Sequence, residues 1–508
     1  MNTDQSSAVN STRTGRIFSL DLRSLAVFRM AWGLTLIADL IFRWSTLREM
    51  YTDEGFFTRQ LSYDYLESQI GPGWSSMFWS LYWFSGTADF AATLFVITGL
   101  LAVLLVVGCW TRVVTVGVFV LLVSLHYRNP LVMTSGDLYF KTLLLWSLFL
   151  PLGHVWSWDA WRAGRKVGNQ LKPLATLATA GLILQIIVMY FFTGISKLNE
   201  VWFEGDAMWY VLRLDIYITP FGRSLLEYPA LLKLTSWLTL FFEVVWIWTL
   251  LVPWKNDWFR WSNIVVFAGF HVGIGMAMSI GLFPVICILP WIALLPGYVW
   301  PGGNSRAPQK FPSWEALSIV GRLQRVACIL LLLLTVLWNL GNIQHPATSR
   351  LQIPVVQRIV FGCGMDQHFQ MFSKPPDHNP WFVYEAELKD GTRLDLLTGG
   401  EITTERPESV REIFPTFHWR KFHRNLVSDQ LEFLRQPLAD YWVRQWNETH
   451  PPDQQVVSLR LVCYMEEIGP DYNEKNRVSF IWGSFKSEQS EPGSLFEQML
   501  KQNNDLPF

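Results

Sequence analysis

Nine stretches of mostly apolar residues follow one another through the first two thirds of this chain. A helix needs about 20 such residues to cross the hydrocarbon core of a bilayer. Half of the 508 residues are hydrophobic and only 16% are charged, whereas soluble domains carry about a quarter of charged residues. The chain is therefore predicted to be an integral membrane protein. The predicted spans are residues 25–45, 84–108, 113–130, 138–153, 174–195, 231–252, 262–281, 283–299 and 319–341.

The charges between these spans predict an orientation. The segment 154–172 contains four basic residues and one acidic residue, whereas the segment 46–77 contains five acidic residues and two basic ones. An excess of Lys and Arg marks the cytoplasmic loops of membrane proteins. We therefore expect a plasma or inner membrane protein with a cytoplasmic N-terminus, and nine spans would then put the C-terminal third outside the cytoplasm.

The ends of the chain differ from the apolar part. Residues 1–24 are predicted to be a polar cytoplasmic segment, and because they contain no apolar h-region, the first span would act as an uncleaved insertion signal. The net charge of -1 gives no reason to expect a nucleic acid partner. Membrane lipid is the expected environment because of the apolar spans.

The last third, residues 342–508, has the pattern of a small folded domain. WFVYEAELKDGTRLDLLT alternates apolar and polar residues around Asp390-Gly391, which predicts a hairpin. LVSDQLEFLRQPLADYWVRQW predicts an amphipathic helix that Pro437 should kink or split. VVSLRLVCYMEE and RVSFIWGSF predict further strands. The fold class is therefore mainly α: a polytopic membrane bundle of about nine spans, residues 25–341, followed by an α+β extramembrane domain. If this domain is exported, Cys463 could pair with Cys363.

A lysine, Lys197, follows the fifth span in FTGISKLNEVWFEG. One interpretation is snorkelling, in which the ammonium reaches the membrane interface and Trp202 anchors the chain there. The other is that Lys197 points into a cavity, where desolvation penalises its charged form and makes it a usable base. The sequence leaves both open.

Three more ionisable groups lie in or beside predicted spans, where such groups are expensive and often functional. Glu243 lies within the sixth span and His271 within the seventh. Asp137 precedes the fourth span, where it could favour the start of a helix or pair with Lys141 one turn later. Together with Lys197 and Trp202, these groups predict an internal polar pocket that aromatic residues could line for a flat apolar molecule.

Two separated motifs resemble those of the vitamin K-dependent gamma-carboxylase family and of the broader horizontally transferred transmembrane domain family. YFFTGISKLNEVWFEGDAMWYVLR fits a pattern of Gly-x-x-Lys-Leu followed by Trp-x-x-Gly. FHVGIGMAMSIGLFP fits a pattern of His followed by Ser-Ile-Gly-Leu-Phe. The resemblance covers most of residues 20–300, and MDQHFQMFSKPP and FHWRKFHRNL look like bacterial members.

The resemblance implies a reaction and its participants. Lys197 matches the lysine that deprotonates reduced vitamin K, after which oxygen converts this cofactor to a strong base. That base takes a proton from a glutamate of an exported peptide, and carbon dioxide adds. Animal carboxylases also carry a functional histidine before the fourth span, where this chain has MTSGDLY with Gly136 and Asp137 instead.

Two functions remain open at this stage. One is a quinol-linked carboxylase that uses Lys197 as its base, and the other is a non-catalytic membrane factor that binds or matures an exported protein. A transporter is less favoured because no inverted repeat is evident. A diiron enzyme is less favoured because the histidines do not cluster, and HWRKFH is predicted to be a basic surface that faces lipid headgroups or solvent.

Overall fold

The structure is a computed structural model that describes residues 13–70, 78–165, 171–301, 311–343, 346–414, 416–468 and 474–486. Two compact units can be distinguished within these ranges. The first comprises the residues up to Glu54, then Thr58–Pro376 and Thr416–His418. The second comprises Gly55–Phe57, Asp377–Pro415 and the residues from Trp419 onward.

Helices make up nearly all of the first unit. The main ones are α1 (Leu22–Trp44), α2 (Ala88–Val107), α3 (Thr111–Arg128), α4 (Ser135–Ser147), α5 (Leu177–Ser196), α6 (Pro229–Val244), α7 (Asn256–Ala277), α8 (Phe283–Ala293), α9 (Ile319–Gly341) and α10 (Pro354–Gly362). Shorter helical segments are Leu47–Tyr51, Arg59–Ile70, Leu81–Trp83, Pro130–Val132, Trp158–Arg162, Glu200–Phe203, Ala207–Leu212, Pro220–Leu225, Trp246–Leu251, Gly297–Val299 and Pro346–Ser349. A short antiparallel pair joins β1 (Ser19–Leu20) to β2 (Leu174–Ala175).

A helix, α1 to α9, lies at each of the nine predicted spans, but their lengths differ from expectation. Six helical segments of the described chain are long and apolar enough to cross a membrane: Leu22–Trp44, Ala88–Val107, Thr111–Arg128, Leu177–Ser196, Pro229–Leu251 and Ile319–Gly341. The 13 residues of α4 and the 11 residues of α8 are too few, because at 1.5 Å per residue they extend about 20 and 17 Å against a core of about 30 Å. The third exception, α7, has 22 residues and is long enough, but it is not apolar enough.

Local sequence explains where several helices begin and end. The Thr134 hydroxyl accepts from the Asp137 backbone N–H, and the Asp137 carboxylate accepts from the Thr134 N–H, which forms a capping box at α4. Thr176 and Thr179 form the same arrangement at α5. Gly108 ends α2 in the left-handed conformation, with a φ of 76°, which glycine adopts at little cost.

Helix α5 lies at the centre of the first unit and α9 at its edge. Of the apolar window in α5, 72% is buried, and this helix packs against α4, α6 and α9. Only 11% of the corresponding window in α9 is buried. A helix this apolar and this exposed suits contact with lipid, whereas α5 brings its C-terminal residues into the interior of the bundle.

The first unit continues beyond the last long helix. Val360 on α10 and Met365 after it are buried in one cluster with Leu145 and Trp338. The residues up to Pro376 therefore belong to the helical unit, whereas the sequence predicted a boundary at residue 342.

The second unit contains a four-stranded antiparallel sheet with the order β4-β3-β5-β6. The strands are β3 (His378–Leu388), β4 (Arg393–Asp395), β5 (Val456–Ile468) and β6 (Glu474–Lys486), and the helices of this region are Val410–Ile413, α11 (Phe417–Leu426), Asp429–Leu434, α12 (Arg435–Thr449) and Pro452–Gln454. The predicted hairpin is confirmed, with Gly391 in its turn at a φ of 83°. Helix α12 begins at Arg435, which places Pro437 in its first turn, where a proline is tolerated.

The prediction for HWRKFH was wrong. His418, Arg420 and His423 are buried, with His423 fully so. The ring of His423 stacks on that of Phe414 with centroids 3.9 Å apart. The segment is amphipathic, and a count of its charges does not reveal that its aromatic and histidine side chains form part of a core.

Candidate functional site

Lys197 lies directly after the last residue of α5, as its C-cap, and is only 4% exposed. Its Nζ donates to both carboxylate oxygens of Glu243 on α6, at 2.6 and 2.8 Å. Gly194 makes this approach of the two helices possible, because a Cβ there would lie 2.7 Å from a Val244 methyl group and 2.9 Å from the Glu243 Cβ. Snorkelling does not describe Lys197, since its ammonium group pairs inside the bundle.

Trp202 closes one side of this ion pair. The Lys197 Nζ lies 5.1 Å from the centre of the Trp202 ring, within the range of a cation–π interaction. The indole Nε1 donates to the Phe372 carbonyl oxygen at 2.9 Å. Phe372 has a φ of 52°, a left-handed conformation that is strained for an aromatic residue. Trp202 is therefore a buried wall of the site rather than an interface anchor.

His271 lies on α7 and is 2% exposed. Its Nε2 hydrogen bonds with the Tyr190 hydroxyl at 2.8 Å, and the Trp291 Nε1 donates to the same hydroxyl at 3.2 Å. The rings of Phe267 and Trp291 stack with centroids 5.0 Å apart. The histidine therefore belongs to an aromatic cluster between α5, α7 and α8.

The two groups of residues are near each other. Tyr190 on α5 and Lys197 at its C-terminal end are seven positions apart, which is about two helical turns, so both lie on the same side of this helix. The structure thus gathers four of the five predicted site residues into one buried region. We call it the Lys197 site, and it consists of Lys197, Trp202, Glu243 and His271 together with Tyr190.

Asp137 takes part in a different network. Its Oδ1 accepts from the Arg43 guanidinium at 2.6 Å, and its Oδ2 accepts from the Thr134 hydroxyl at 2.8 Å. Lys141 does not pair with Asp137; its ammonium group pairs with Asp366 instead. Of the two interpretations of Asp137, its role at the start of a helix is confirmed by the capping box of α4, and the pair with Lys141 is wrong because Arg43 from α1 reaches Asp137.

Arg43 is the centre of that network, and it was not among the predicted site residues. Arg43 donates to Asp39 at 2.8 Å and to the Tyr51 hydroxyl at 2.7 Å, in addition to Asp137. The signal was present, since Asp39 and Arg43 are one helical turn apart inside the first predicted span. A charge pair at that depth should have been treated as a polar cluster.

The Nδ1 of His271, in the Lys197 site, has no hydrogen-bond partner among the described residues. The hydroxyl of Tyr139, on the helix α4 that packs against α5, also has none there. Buried polar atoms are rarely left unpaired, so each points to a water or a ligand that completes it. No group of three His, Cys, Asp or Glu side chains in the described part of the chain converges as a metal site does.

The long apolar helices and the buried ionisable cluster define the class: this is a multi-pass membrane protein with a polar site inside its helical unit. The model of the HTTM domain family matches residues 19–296, more than half of the chain. The chain therefore belongs to the HTTM domain family, as the motifs around Lys197 and His271 predicted. No solved structure matches the chain.

Proposed function

We propose that this protein is a membrane enzyme in which Lys197 takes a proton from a reduced quinone of the vitamin K type. The further proposal is that the activated quinol drives carboxylation of a glutamate in an exported peptide. The observation that carries the proposal is the buried Lys197–Glu243 pair, whose ammonium group lies against the face of Trp202.

The proton shared by Lys197 and Glu243 can reside on either of the two side chains. A buried ion pair is costly, because desolvation opposes the attraction between its charges. Moving the proton from the Lys197 Nζ to the Glu243 carboxylate, which lies 2.6 Å away, converts the ion pair into two neutral groups. A neutral lysine amine is a base. When it takes a proton from a hydroxyl group, the resulting ammonium would lie beside the oxyanion and stabilise it.

The surroundings fit an aromatic diol. Trp202, Phe267 and Trp291 present flat apolar surfaces, and the Nδ1 of His271 and the hydroxyl of Tyr139 lack partners among the described residues. A cavity for such a ligand needs apolar walls and a few polar groups that fix its orientation. The chain's own contribution would be to hold the ring, exclude water and accept a proton at the Lys197 Nζ.

A bound reduced quinone would supply, together with oxygen, the strong base needed to deprotonate a glutamate side chain, to which carbon dioxide then adds. The atoms balance: quinol, oxygen, carbon dioxide and glutamate give quinone epoxide, carboxyglutamate and water. The assignment of this carboxylation reaction is supported by the family resemblance of the Lys197 motif. The cytoplasmic N-terminus and the exported C-terminal domain belong to the same proposal.

The test is formation of quinone epoxide by the purified full-length protein in detergent with reduced vitamin K and oxygen. We expect Lys197→Met to reduce the rate by at least about 100-fold, the usual effect of removing a general base. Lys141→Met is a matched control, because Lys141 is also a buried lysine paired with a carboxylate, Asp366. Equal rates for Lys197→Met and the wild type, or no epoxide from the wild type, would overturn the proposal.

A second candidate, a non-catalytic factor that binds an exported protein, is favoured by one observation. Asp137 lies in the segment where animal carboxylases have a functional histidine, and both of its oxygens are occupied by Arg43 and Thr134. This candidate predicts that Lys197→Met still captures the exported partner. Crosslinking from residues 377–468 in the native membrane should then give the same adducts for the variant and the wild type.

A further inference from the structure

The imidazole of His271 has one nitrogen in use and one that is not. Its Nε2 is 2.8 Å from the Tyr190 hydroxyl oxygen. Its Nδ1 is buried and makes no hydrogen bond within the described residues. The rings of Phe270 and Phe283 flank the imidazole, with centroids 5.2 and 5.6 Å from its own.

The neighbouring tryptophan favours a proton on the Nδ1 of His271. An indole N–H can only donate, so the Tyr190 oxygen accepts from the Trp291 Nε1 at 3.2 Å. A proton on the His271 Nε2 would make Tyr190 accept twice and would leave its hydroxyl proton without an acceptor among the described residues, whereas donation of that proton to the Nε2 satisfies both groups. With Nε2 acting as an acceptor, the proton of the neutral imidazole lies on Nδ1. In this arrangement the unused atom is an N–H donor.

An unsatisfied buried donor destabilises a fold, and His271 is only 2% exposed. Its apolar flanks, Phe270 and Phe283, offer the Nδ1–H no acceptor. Tyr190, the partner of His271, lies on α5 about two helical turns before Lys197, which places this donor in the same part of the bundle as the proposed base. A buried donor that no described residue satisfies is suited to an oxygen atom that comes from outside the chain.

We propose that the His271 Nδ1–H donates a hydrogen bond to one oxygen of an aromatic ligand that bears two oxygens, while Lys197 acts on the other. This inference rests on the proposed function, because it assigns the ligand as a quinol or quinone held at both ends. His271 is then a binding residue that selects ligands with a second oxygen and sets the orientation of the ring. The Tyr190–Trp291 pair is a positioning element that keeps the proton on Nδ1.

Two conservative substitutions separate this role from a structural one. His271→Asn keeps an N–H donor near the Nδ1 position and loses the acceptor for Tyr190. His271→Gln keeps an acceptor near the Nε2 position and loses the donor on Nδ1. A ligand-binding role therefore requires that Asn be the better substitute, whereas a purely structural role for the Tyr190 hydrogen bond requires that Gln be the better one.

The experiment measures the Kd of 2-methyl-1,4-naphthoquinone, by tryptophan fluorescence quenching, for the full-length protein in nanodiscs. We expect His271→Gln to bind about tenfold more weakly than the wild type and His271→Asn to bind within about threefold of it, which corresponds to one hydrogen bond. Size-exclusion profiles and thermal melting show whether each variant is folded. A second measurement needs no variant: the imidazole nitrogens of ¹⁵N-histidine-labelled wild type should report a proton on Nδ1 of His271.

The outcomes are distinguishable from those of the base proposal. If the wild type binds the quinone and His271→Gln binds it equally well, the His271 inference is wrong while the Lys197 proposal stands. A proton on Nε2 instead of Nδ1 would also overturn the inference. If the wild type binds no quinone, the proposed function fails and the His271 inference fails with it.

Discussion

Within the described residues, each unit of the molecule contains a buried tyrosine–histidine pair, and the two histidines differ in the hydrogen bonding of their Nδ1 atoms. In the helical unit, the Tyr190 hydroxyl bonds with the His271 Nε2 at 2.8 Å. In the α+β unit, the Tyr384 hydroxyl bonds with the His423 Nε2 at 2.6 Å. The Nδ1 of His423 is also paired, with the Trp419 carbonyl oxygen at 2.9 Å, whereas the Nδ1 of His271 has no partner in the described part of the chain.

The difference separates a core histidine from a candidate site histidine. His423 uses both nitrogens within its own fold, so nothing outside the chain is needed to complete it. His271 uses one and leaves the other buried without a partner among the described residues. Burial and an aromatic environment are common to both residues. What distinguishes them is whether both ring nitrogens have hydrogen-bond partners.

The largest expected effect concerns the buried network of Arg43, Asp39 and Asp137 in the helical unit. Arg43→Met would leave Asp39 and Asp137 without their counter-charge, and we expect a loss of about 3–5 kcal/mol in the free energy of unfolding. The measurement is thermal melting of the full chain in detergent, with hydrogen exchange of the α1 and α4 amides.

Arg48→Met is the control for Arg43→Met. Arg48 forms an ion pair with Glu54 at 3.6 Å, and their side chains are 74% and 51% exposed. Exposed pairs contribute about 0–1 kcal/mol, so this variant should melt with the wild type. If Arg43→Met and Arg48→Met had the same melting temperature, the claim that the buried Arg43 network stabilises the bundle would be wrong.

The second prediction compares the two histidines directly. His423→Phe removes the hydrogen bonds of both ring nitrogens, to the Trp419 carbonyl and to the Tyr384 hydroxyl, and we expect a cost of about 3 kcal/mol. His271→Phe removes only the hydrogen bond to the Tyr190 hydroxyl, so about half that cost is expected. Hydrogen exchange of β3 amides reports the first cost and that of α7 amides the second. A larger cost at His271 would show that its Nδ1 is in fact satisfied within the fold.

The third prediction is a pH dependence of the α+β unit. Burial lowers the pKa of His423 to about 3 from its usual value of 6.5. The unfolded chain therefore binds a proton as the pH falls through 6.5, while the folded unit does not, so acid favours unfolding. The stabilisation is complete above pH 6.5, and about 2 kcal/mol of it should be lost at pH 5.

Exchange rates of β3 amides, corrected for the intrinsic rate at each pH, measure this dependence between pH 7 and pH 5. His423→Phe is the control, because it removes the titrating group and should remove this part of the pH dependence. An unchanged dependence in the variant would assign the effect to other groups.

The smallest expected effect comes from the tyrosines. Tyr384→Phe leaves the His423 Nε2 without its donor and should cost about 1 kcal/mol. Tyr190→Phe should cost a similar amount, and it should also weaken naphthoquinone binding severalfold, because the proton of His271 is no longer held on Nδ1. A Tyr190→Phe variant with unaltered quinone affinity would argue against the positioning role of Tyr190.

Much of the fold could be predicted from local patterns. Apolar stretches located α1 to α9, and Asp390-Gly391 located the hairpin turn, because hydropathy and turn chemistry depend on neighbouring residues. Span length was predicted less well. The stretches that contain α4 and α8 are apolar beyond the helical part, and composition alone does not show where a helix stops.

The candidate site was predicted as a set of residues but not as a geometry. Lys197, Glu243 and His271 were evident as ionisable groups in or beside apolar spans. Asp137 was assigned to the same pocket, yet it pairs with Arg43, 94 positions away. Which acid meets which base depends on helix packing, and a single sequence contains no direct record of it.

By itself, the sequence determined that the chain is a multi-pass membrane protein, that it belongs to the HTTM domain family and that an α+β region follows the long apolar helices. These properties follow from composition, periodicity and short motifs, which are local. Only the tertiary structure decided that Lys197 meets Glu243, 46 residues away, and that Lys141 meets Asp366, 225 residues away. It also decided that the Nδ1 of His271 has no partner among the described residues, while that of His423 has one. The physical reason is that a buried polar group takes whichever partner the packing of distant helices and strands brings within hydrogen-bond distance.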